Sequence, residues 1–205
     1  MITHALVPVK VLRQAKSRLA VAIPPAERQA LVLEMLERVL TALRHPAATI
    51  TTIWLVSADP TVLGLGANWG AIPLLETGTD LNAALEQGRT VALAHGAEAI
   101  LAVPADVPFV TPGDCAALTG VLARNTDVAL VTDHAGQGTN ALALRRDAAL
   151  PFLFGEASAG RHLAAAAARG LRAQHLRLAS LALDIDQPDG LAYYRTVYPL
   201  TANTA

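Results

Sequence analysis

Ala5-Leu6-Val7-Pro8-Val9-Lys10, continued by Val11-Leu12-Arg13-Gln14-Ala15-Lys16-Ser17-Arg18-Leu19-Ala20, sets the reading of the whole chain. The apolar run Ala5–Val9 reads as a first β-strand. Four cations, Lys10, Arg13, Lys16 and Arg18, follow it within one short loop. In an open α/β sheet, ligands bind outside the carboxyl ends of the strands. Lysine as a point charge and arginine as a fork both suit phosphate oxygens. The stretch therefore predicts an α/β fold whose first loop takes a phosphate-bearing substrate, with a nucleoside triphosphate as the leading candidate. A solvated loop with its cations in water is the plain alternative. The loop contains no glycine, so it is neither a Walker loop nor a dinucleotide fingerprint.

Outward from this stretch, apolar runs alternate with helical patterns. Strands are expected at Thr51–Val56, Ala71–Leu75, Ala99–Val103, Val128–Thr132 and Ala141–Leu144, the last two around the turn Gly136-Gln137-Gly138. Leu171–Leu178 alternates more weakly, and Leu181–Ile185 is short and apolar. A first helix opens at Pro24-Pro25 and carries the stripe Leu31, Met35, Leu36, Val39 and Leu43 before His45-Pro46 ends it. A short helix runs from Asp59-Pro60 to the Gly64/Gly66 pair. Thr79-Asp80 caps a helix from Leu81 to His95, closed by Gly96. Further helices are expected from Pro112 to near Asn125, from Ser158 to Gly170, and from Pro188 through Tyr194, with a frayed tail at Thr201–Ala205. This alternation specifies a single α/β domain over residues 1–205, a mostly parallel sheet with helices on both faces.

Composition narrows the function. A formal net charge of −1 over 205 residues supplies no global field for nucleic acid or an acidic membrane, so anion binding must be local. Cys115 is the single cysteine, which excludes a disulfide framework and a thiolate metal site and points to a reducing, cytoplasmic setting. No apolar run approaches the ~20 residues needed to cross a bilayer. The first apolar stretch is interrupted by Pro8 and Lys10, against a signal peptide. An apolar helix face serves either a homodimer or simply the core.

Several segments carry chemistry. Asp106 follows the strand Ala99–Val103 and lies between Pro104 and Pro108, well placed to hold Mg²⁺ or, alternatively, to accept backbone hydrogen bonds in a turn. Asp184 and Asp186 stand two apart, on one side of an extended segment, and can converge with Asp106; a helix N-cap also accounts for Asp186. Gly136-Gln137-Gly138-Thr139-Asn140 offers close backbone approach and neutral donors, or an ordinary hairpin turn. Phe154-Gly155-Glu156-Ala157-Ser158 leads into Arg161-His162; Ser158 is either an N-cap or a group presented to an anion at a helix start. Capping explains Asp80, whereas Asn82 can face a base or ribose. The six histidines are scattered, which favours surface or cap roles over zinc. No nucleophile elbow supports a hydrolase.

Taken in order, Pro8-Val9-Lys10, Ala15-Lys16-Ser17-Arg18-Leu19-Ala20, Asp80-Leu81-Asn82-Ala83-Ala84-Leu85, Val103-Pro104-Ala105-Asp106-Val107-Pro108, Gly138-Thr139-Asn140-Ala141-Leu142, Phe154-Gly155 with Ser158, and Leu183-Asp184-Ile185-Asp186-Gln187-Pro188 resemble the CofC/FbiD guanylyltransferases, from Pro8 to about Leu191. The resemblance implies a nucleotidyltransferase fold related to glycosyltransferase-A-type domains. It implies a reaction joining GTP to a phosphorylated three-carbon acid, with release of pyrophosphate, on the route to the deazaflavin coenzyme F420. Carried over by position, it implies that Lys10, Lys16 and Arg18 hold the GTP phosphates and that Lys16, Arg18 and Asp106 are catalytic. It places Mg²⁺ on Asp106, Asp184 and Asp186, and the phospho-acid (phosphoenolpyruvate in many bacterial members) on Thr139, Gly155 and Ser158. Asn82 would lie near the guanosine. Asp80 stands where members often carry Gly, and Val107 where they often carry Leu. Two other readings stay open: a molybdopterin cytidylyl- or guanylyltransferase or sugar-phosphate enzyme, usually with a Gly-rich first loop, and a non-catalytic GTP-binding module. The residues do not choose among phosphoenolpyruvate, 2-phospholactate and 3-phosphoglycerate.

Overall fold

The first strand, β1 (Thr3–Pro8), is buried on both sides. Ala5 and Val7 enter one apolar core and Leu6 enters another, as alternation along a strand requires. The computed structural model describes residues 1–78 and 80–199. Its strands are β1, β2 (Thr52–Ser57), β3 (Ile72–Leu75), β4 (Ala99–Ala102), β5 (Val128–Thr132), β6 (Thr139–Arg145) and β7 (Ala173–His175). They form one sheet of seven strands in the order β3-β2-β1-β4-β6-β5-β7. The helices are α1 (Pro25–Arg44), α2 (Pro60–Asn68), α3 (Leu81–Ala94), α4 (Pro112–Leu122), α5 (Ser158–Ala168) and α6 (Pro188–Val197). Side chains of α1, α2, α4 and α6 pack with Ala5 and Val7, and those of α3 and α5 pack with Leu6. The expected sheet with helices on both faces is thus the observed architecture. The apolar stripe of α1 faces this core, with Leu31, Leu36, Val39 and Leu43 fully buried.

Two features of the topology position the site. The strand order reverses at β1, which pairs with β2 on one side and β4 on the other. The loops leaving β1 and β4 are therefore neighbours at the carboxyl edge of the sheet, and both lead to helices on the face of Ala5 and Val7. In addition, β6 is antiparallel to both β4 and β5, while the other pairings are parallel. Ala102 at the end of β4 pairs with Leu142, so Thr139 and Asn140 at the start of β6 reach that same edge.

Several boundaries differ from expectation for identifiable reasons. Helix α2 continues through Gly64 and Gly66. A Cβ at Gly66 would meet Leu55 Cδ2 at 2.0 Å, so this glycine allows the helix to lie close against β2 rather than ending it. Only Ala173–His175 of the weak Leu171–Leu178 pattern forms a strand. Leu181–Ile185 joins no described strand; Leu181 and Ile185 are buried, and the Ile185 N–H donates to the Asp106 carbonyl at 3.0 Å. Helix α4 stops at Leu122, before the left-handed Asn125 at φ 77°. Asp80 caps α3, accepting from the N–H groups of Asn82 and Ala83. Thr79 and Thr201–Ala205 lie outside the described residues. No helix among the described residues is long and apolar enough to cross a membrane.

Candidate active site

The first loop is anchored by its apolar residues and presents its cations between them. Leu12, Ala15 and Leu19 are buried, whereas Lys10, Arg13 and Arg18 are exposed. The Leu12 N–H donates to Asp59 Oδ2 at 3.0 Å, which pins the loop to the start of α2. Two short 3-10 turns, Leu12–Gln14 and Ser17–Val21, meet near Lys16, whose backbone is left-handed at φ 53° and ψ 39°. A non-glycine residue held there costs on the order of 1–3 kcal/mol, a cost associated with functional sites.

That conformation turns Lys16 inward. Its Nζ donates to Asp106 Oδ2 at 2.7 Å and to Asp186 Oδ1 at 2.6 Å. The Lys16 side chain is 7% exposed, against 31% for Asp106 and 38% for Asp186. Arg18 lies at the rim, 3.7 Å from Asp186 Oδ2 and largely in water. The hydrogen bond from Ile185 to Asp106 holds the two acidic segments together. Asp184 accepts from Asn140 Nδ2 at 3.4 Å, and the same amide donates to the Leu181 carbonyl at 2.9 Å.

The electrostatics separate the three carboxylates. Burial alone would depress Lys16, but Asp106 and Asp186 raise its pKa above the ordinary lysine value. Burial would raise Asp106, yet Lys16, with a smaller contribution from Lys10, holds it below the usual carboxylate range. Asp184 is shifted upward, first by burial and then by the charges of Asp106 and Asp186. The cation between the carboxylates is the Lys16 ammonium; among the described residues, no three acidic, histidine or cysteine side chains are arranged as a metal site.

The second half of the site surrounds the start of α5. The Asp133 carboxylate accepts from Gln137 N–H and Gly138 N–H, both at 2.9 Å, and shapes the turn before β6. The Gln137 carbonyl accepts from Ala159 N–H at 3.0 Å, tying that turn to α5. Gly155 has φ 124°, a conformation available essentially to glycine alone. Ser158 is the first residue of α5 and 1% exposed. The cap position belongs to Ala157, left-handed at φ 49°, so an N-cap role for Ser158 is replaced by a buried place inside the first turn. Gln187 likewise occupies the cap of α6, and Asp186 turns to Lys16 instead. Asn82 directs both ends of its amide to Phe154: Oδ1 accepts from Phe154 N–H at 2.8 Å, and Nδ2 donates to its carbonyl at 3.1 Å. In this arrangement Asn82 braces Gly155 through its neighbour.

Residues 3–194 match the family described as guanylyl transferase CofC like. This chain belongs to that family. The chain is 47% identical over 192 residues, 94% of its length, to the phosphoenolpyruvate guanylyltransferase of Rubrobacter xylanophilus, of which it covers 93%. It is 46% identical to the enzyme of the same name from Sphaerobacter thermophilus, over 93% of this chain and 91% of that one. Among solved structures, a nucleotidyl transferase from Methanothermobacter superposes with a TM-score of 0.69 at 18% identity, covering 96% of this chain and 97% of the other. The synthetase for CMP-2-keto-3-deoxy-manno-octonic acid, solved with CTP, gives 0.66 at 15% identity, over 96% and 98%. At these identities the structures establish the fold. As a CofC-like guanylyl transferase, the chain is a nucleotidyltransferase enzyme.

Two residues of this guanylyl transferase act beyond the roles their sequence positions suggested. Asn140 orients Asp184. His162, expected at a surface or cap, is fully buried beside Thr139; His4 is also buried, accepting from Trp54 Nε1. Burial, aided by Arg161, pushes the His162 pKa down from 6.5 to about 4. The folded state therefore binds fewer protons than the unfolded chain between these values, so this contribution to stability is present above about pH 6.5 and lost as pH falls toward 4. The expected loss is about 3 kcal/mol at most, since each tenfold change in proton affinity corresponds to ~1.4 kcal/mol. Urea titrations across this range should show a shallower acid dependence for His162→Gln than for the parent; equal slopes would remove His162 as the cause.

Proposed function

We propose that this enzyme transfers the guanylyl group of GTP to phosphoenolpyruvate, releasing pyrophosphate, on the route to coenzyme F420. The observation that carries the reading is Lys16 between Asp106 and Asp186, at the carboxyl edge of the sheet where the loops leaving β1 and β4 meet and where Thr139 begins β6. The relatives named phosphoenolpyruvate guanylyltransferase support the choice of substrates.

A phosphate oxygen of the acceptor attacks the α-phosphorus of GTP. The bond from that phosphorus to the β-phosphate bridging oxygen breaks, and pyrophosphate leaves with the electron pair. The acceptor is already anionic at neutral pH, so no general base is needed. The barrier lies in bringing two anions together in line. Lys10, Lys16 and Arg18 gather the triphosphate, and Lys16 and Arg18 stabilise the charge that develops on the departing pyrophosphate. Thr139, Ser158 and the backbone at Gly155 hold the phospho-acid.

Asp106, Asp184 and Asp186 offer the hard oxygen donors that Mg²⁺ takes, and Asp184 is crowded by two like charges; an ion there would take the place that the Lys16 ammonium holds against Asp106 and Asp186. Asp106, Asp184 and Asp186 would hold the ion, which when bound supplies charge neutralisation and alignment of the phosphates. A cytoplasmic location fits the lone, buried Cys115.

The test is pyrophosphate release by purified protein with each of the four nucleoside triphosphates and with phosphoenolpyruvate, 2-phospholactate or 3-phosphoglycerate. The expected result is release with GTP and phosphoenolpyruvate that depends on Mg²⁺. GTP binding without release would favour a non-catalytic module, and a preference for CTP would favour the cytidylyltransferase alternative. Within the same assay, Ser158→Ala should raise KM for the phospho-acid about tenfold, as expected for loss of ~1.4 kcal/mol of binding, and leave KM for GTP little changed. Equal effects on both substrates would reduce Ser158 to a folding role.

A further inference from the structure

His162 touches the candidate site without belonging to any role assigned above. Its ring is 0% exposed and packs edge-on against Phe154, with centroids 5.3 Å apart at 74°. Both nitrogens are engaged. The Leu153 N–H donates to Nε2 at 2.9 Å, and Nδ1 lies 3.0 Å from Thr139 Oγ1. A backbone amide can only donate, so Nε2 must carry a lone pair, and the proton of the neutral ring resides on Nδ1. The opposite tautomer would set two N–H groups against each other at Leu153. Nδ1–H therefore faces Thr139 Oγ1, with the Ser158 backbone also accepting from the ring, and the threonine's own O–H, unable to donate to a protonated nitrogen, must point elsewhere.

We infer that His162 is a positioning residue that makes the Thr139 hydroxyl a hydrogen-bond donor toward the phospho-acid. The inference rests on the reading that Thr139 binds that acid. A hydroxyl can donate or accept, whereas an anionic ligand rewards only donation. Thr139 is 6% exposed, so water contributes little to orienting it. The ring does so through a chain of fixed polarity: Leu153 N–H to Nε2, then Nδ1–H to Thr139, then Thr139 O–H to the ligand. The chain joins the strand that presents Thr139 to the segment that leads into Gly155.

The test uses two substitutions that divide the ring's functions. His162→Gln keeps an acceptor near Nε2 for Leu153 but loses the donor to Thr139. His162→Asn keeps a donor near Nδ1 but loses the bond to Leu153. The expected result is about a tenfold rise in KM for phosphoenolpyruvate in His162→Gln, with KM for GTP unchanged and most of the affinity recovered in His162→Asn. In a Thr139→Val background, His162→Gln should add nothing further. Nitrogen-15 spectra of the ring should show the proton on Nδ1. A proton on Nε2, equal effects of the two substitutions, or a full additional penalty in the Thr139→Val background would overturn the inference. If Thr139→Val alone leaves KM for phosphoenolpyruvate unchanged, the assignment of Thr139 fails first. If Thr139→Val raises that KM but His162→Gln does not, only the role of His162 fails.

Discussion

Asp106→Asn is expected to lower turnover at saturating substrates by about 100-fold or more, since loss of ~3 kcal/mol of transition-state stabilisation corresponds to that factor. Asp106 accepts the Lys16 ammonium at 2.7 Å, and its backbone carbonyl accepts from Ile185, which fixes the segment bearing Asp184 and Asp186. Asparagine keeps the backbone arrangement and the shape of the side chain but removes a full charge. The substitution therefore tests the charge rather than the fold. Initial rates of pyrophosphate release should be read beside the thermal unfolding of the variant. A rate within a few-fold of the parent, in a protein that unfolds normally, would take Asp106 out of the chemistry.

The second large effect is expected at Lys16. Lys16→Gly should reduce kcat/KM for GTP by ~10²–10³-fold, the scale seen when a single group aimed at developing charge is removed. Glycine is chosen because φ 53° suits it. Relief of backbone strain offsets part of the lost ion pairs, so stability should stay within about 1–2 kcal/mol of the parent. Lys16→Arg should not restore activity. A rigid planar fork does not replace a compact ammonium held 2.6 and 2.7 Å from two carboxylates and 7% exposed. Urea unfolding together with GTP-dependent rates separates the two effects. Near-normal kcat/KM in either variant would mean that the close ion pairs of Lys16 are structural.

The parts of this architecture that sequence reading recovered are those written in local pattern. The apolar stripe from Leu31 to Leu43 and the buried strands around Leu6, Leu101 and Leu130 follow directly from periodicity. The contact of Lys16 with Asp106 joins a cation cluster after one strand to an acid after another, and both are legible as local pattern. Other features are produced by contacts between distant residues. Asn82 meets Phe154 across 72 positions, Asn140 meets Asp184 across 44, and Thr139 meets His162 across 23. Nothing local distinguishes His162 from a surface histidine on a helix. Its burial depends on Phe154 and on the backbone of Leu153, both supplied by the segment before α5. The left-handed backbone at Lys16 was equally hidden, since such a conformation is announced in sequence mainly by glycine. Gly66 gave the opposite lesson: it looked like a helix stop and proved to be a contact point with Leu55.

In the proposed reaction the basic first loop and the acidic segments act together on one GTP molecule while the acceptor phosphate attacks its α-phosphorus. This reaction is tested most directly with phosphoenolpyruvate carrying oxygen-18 in its phosphate group. Incubated with GTP, Mg²⁺ and enzyme, it should give enolpyruvyl-diphospho-guanosine that retains all of the label, with one equivalent of unlabelled pyrophosphate. Labelled pyrophosphate, or nucleotide product lacking the label, would rule out attack by the acceptor phosphate on the α-phosphorus.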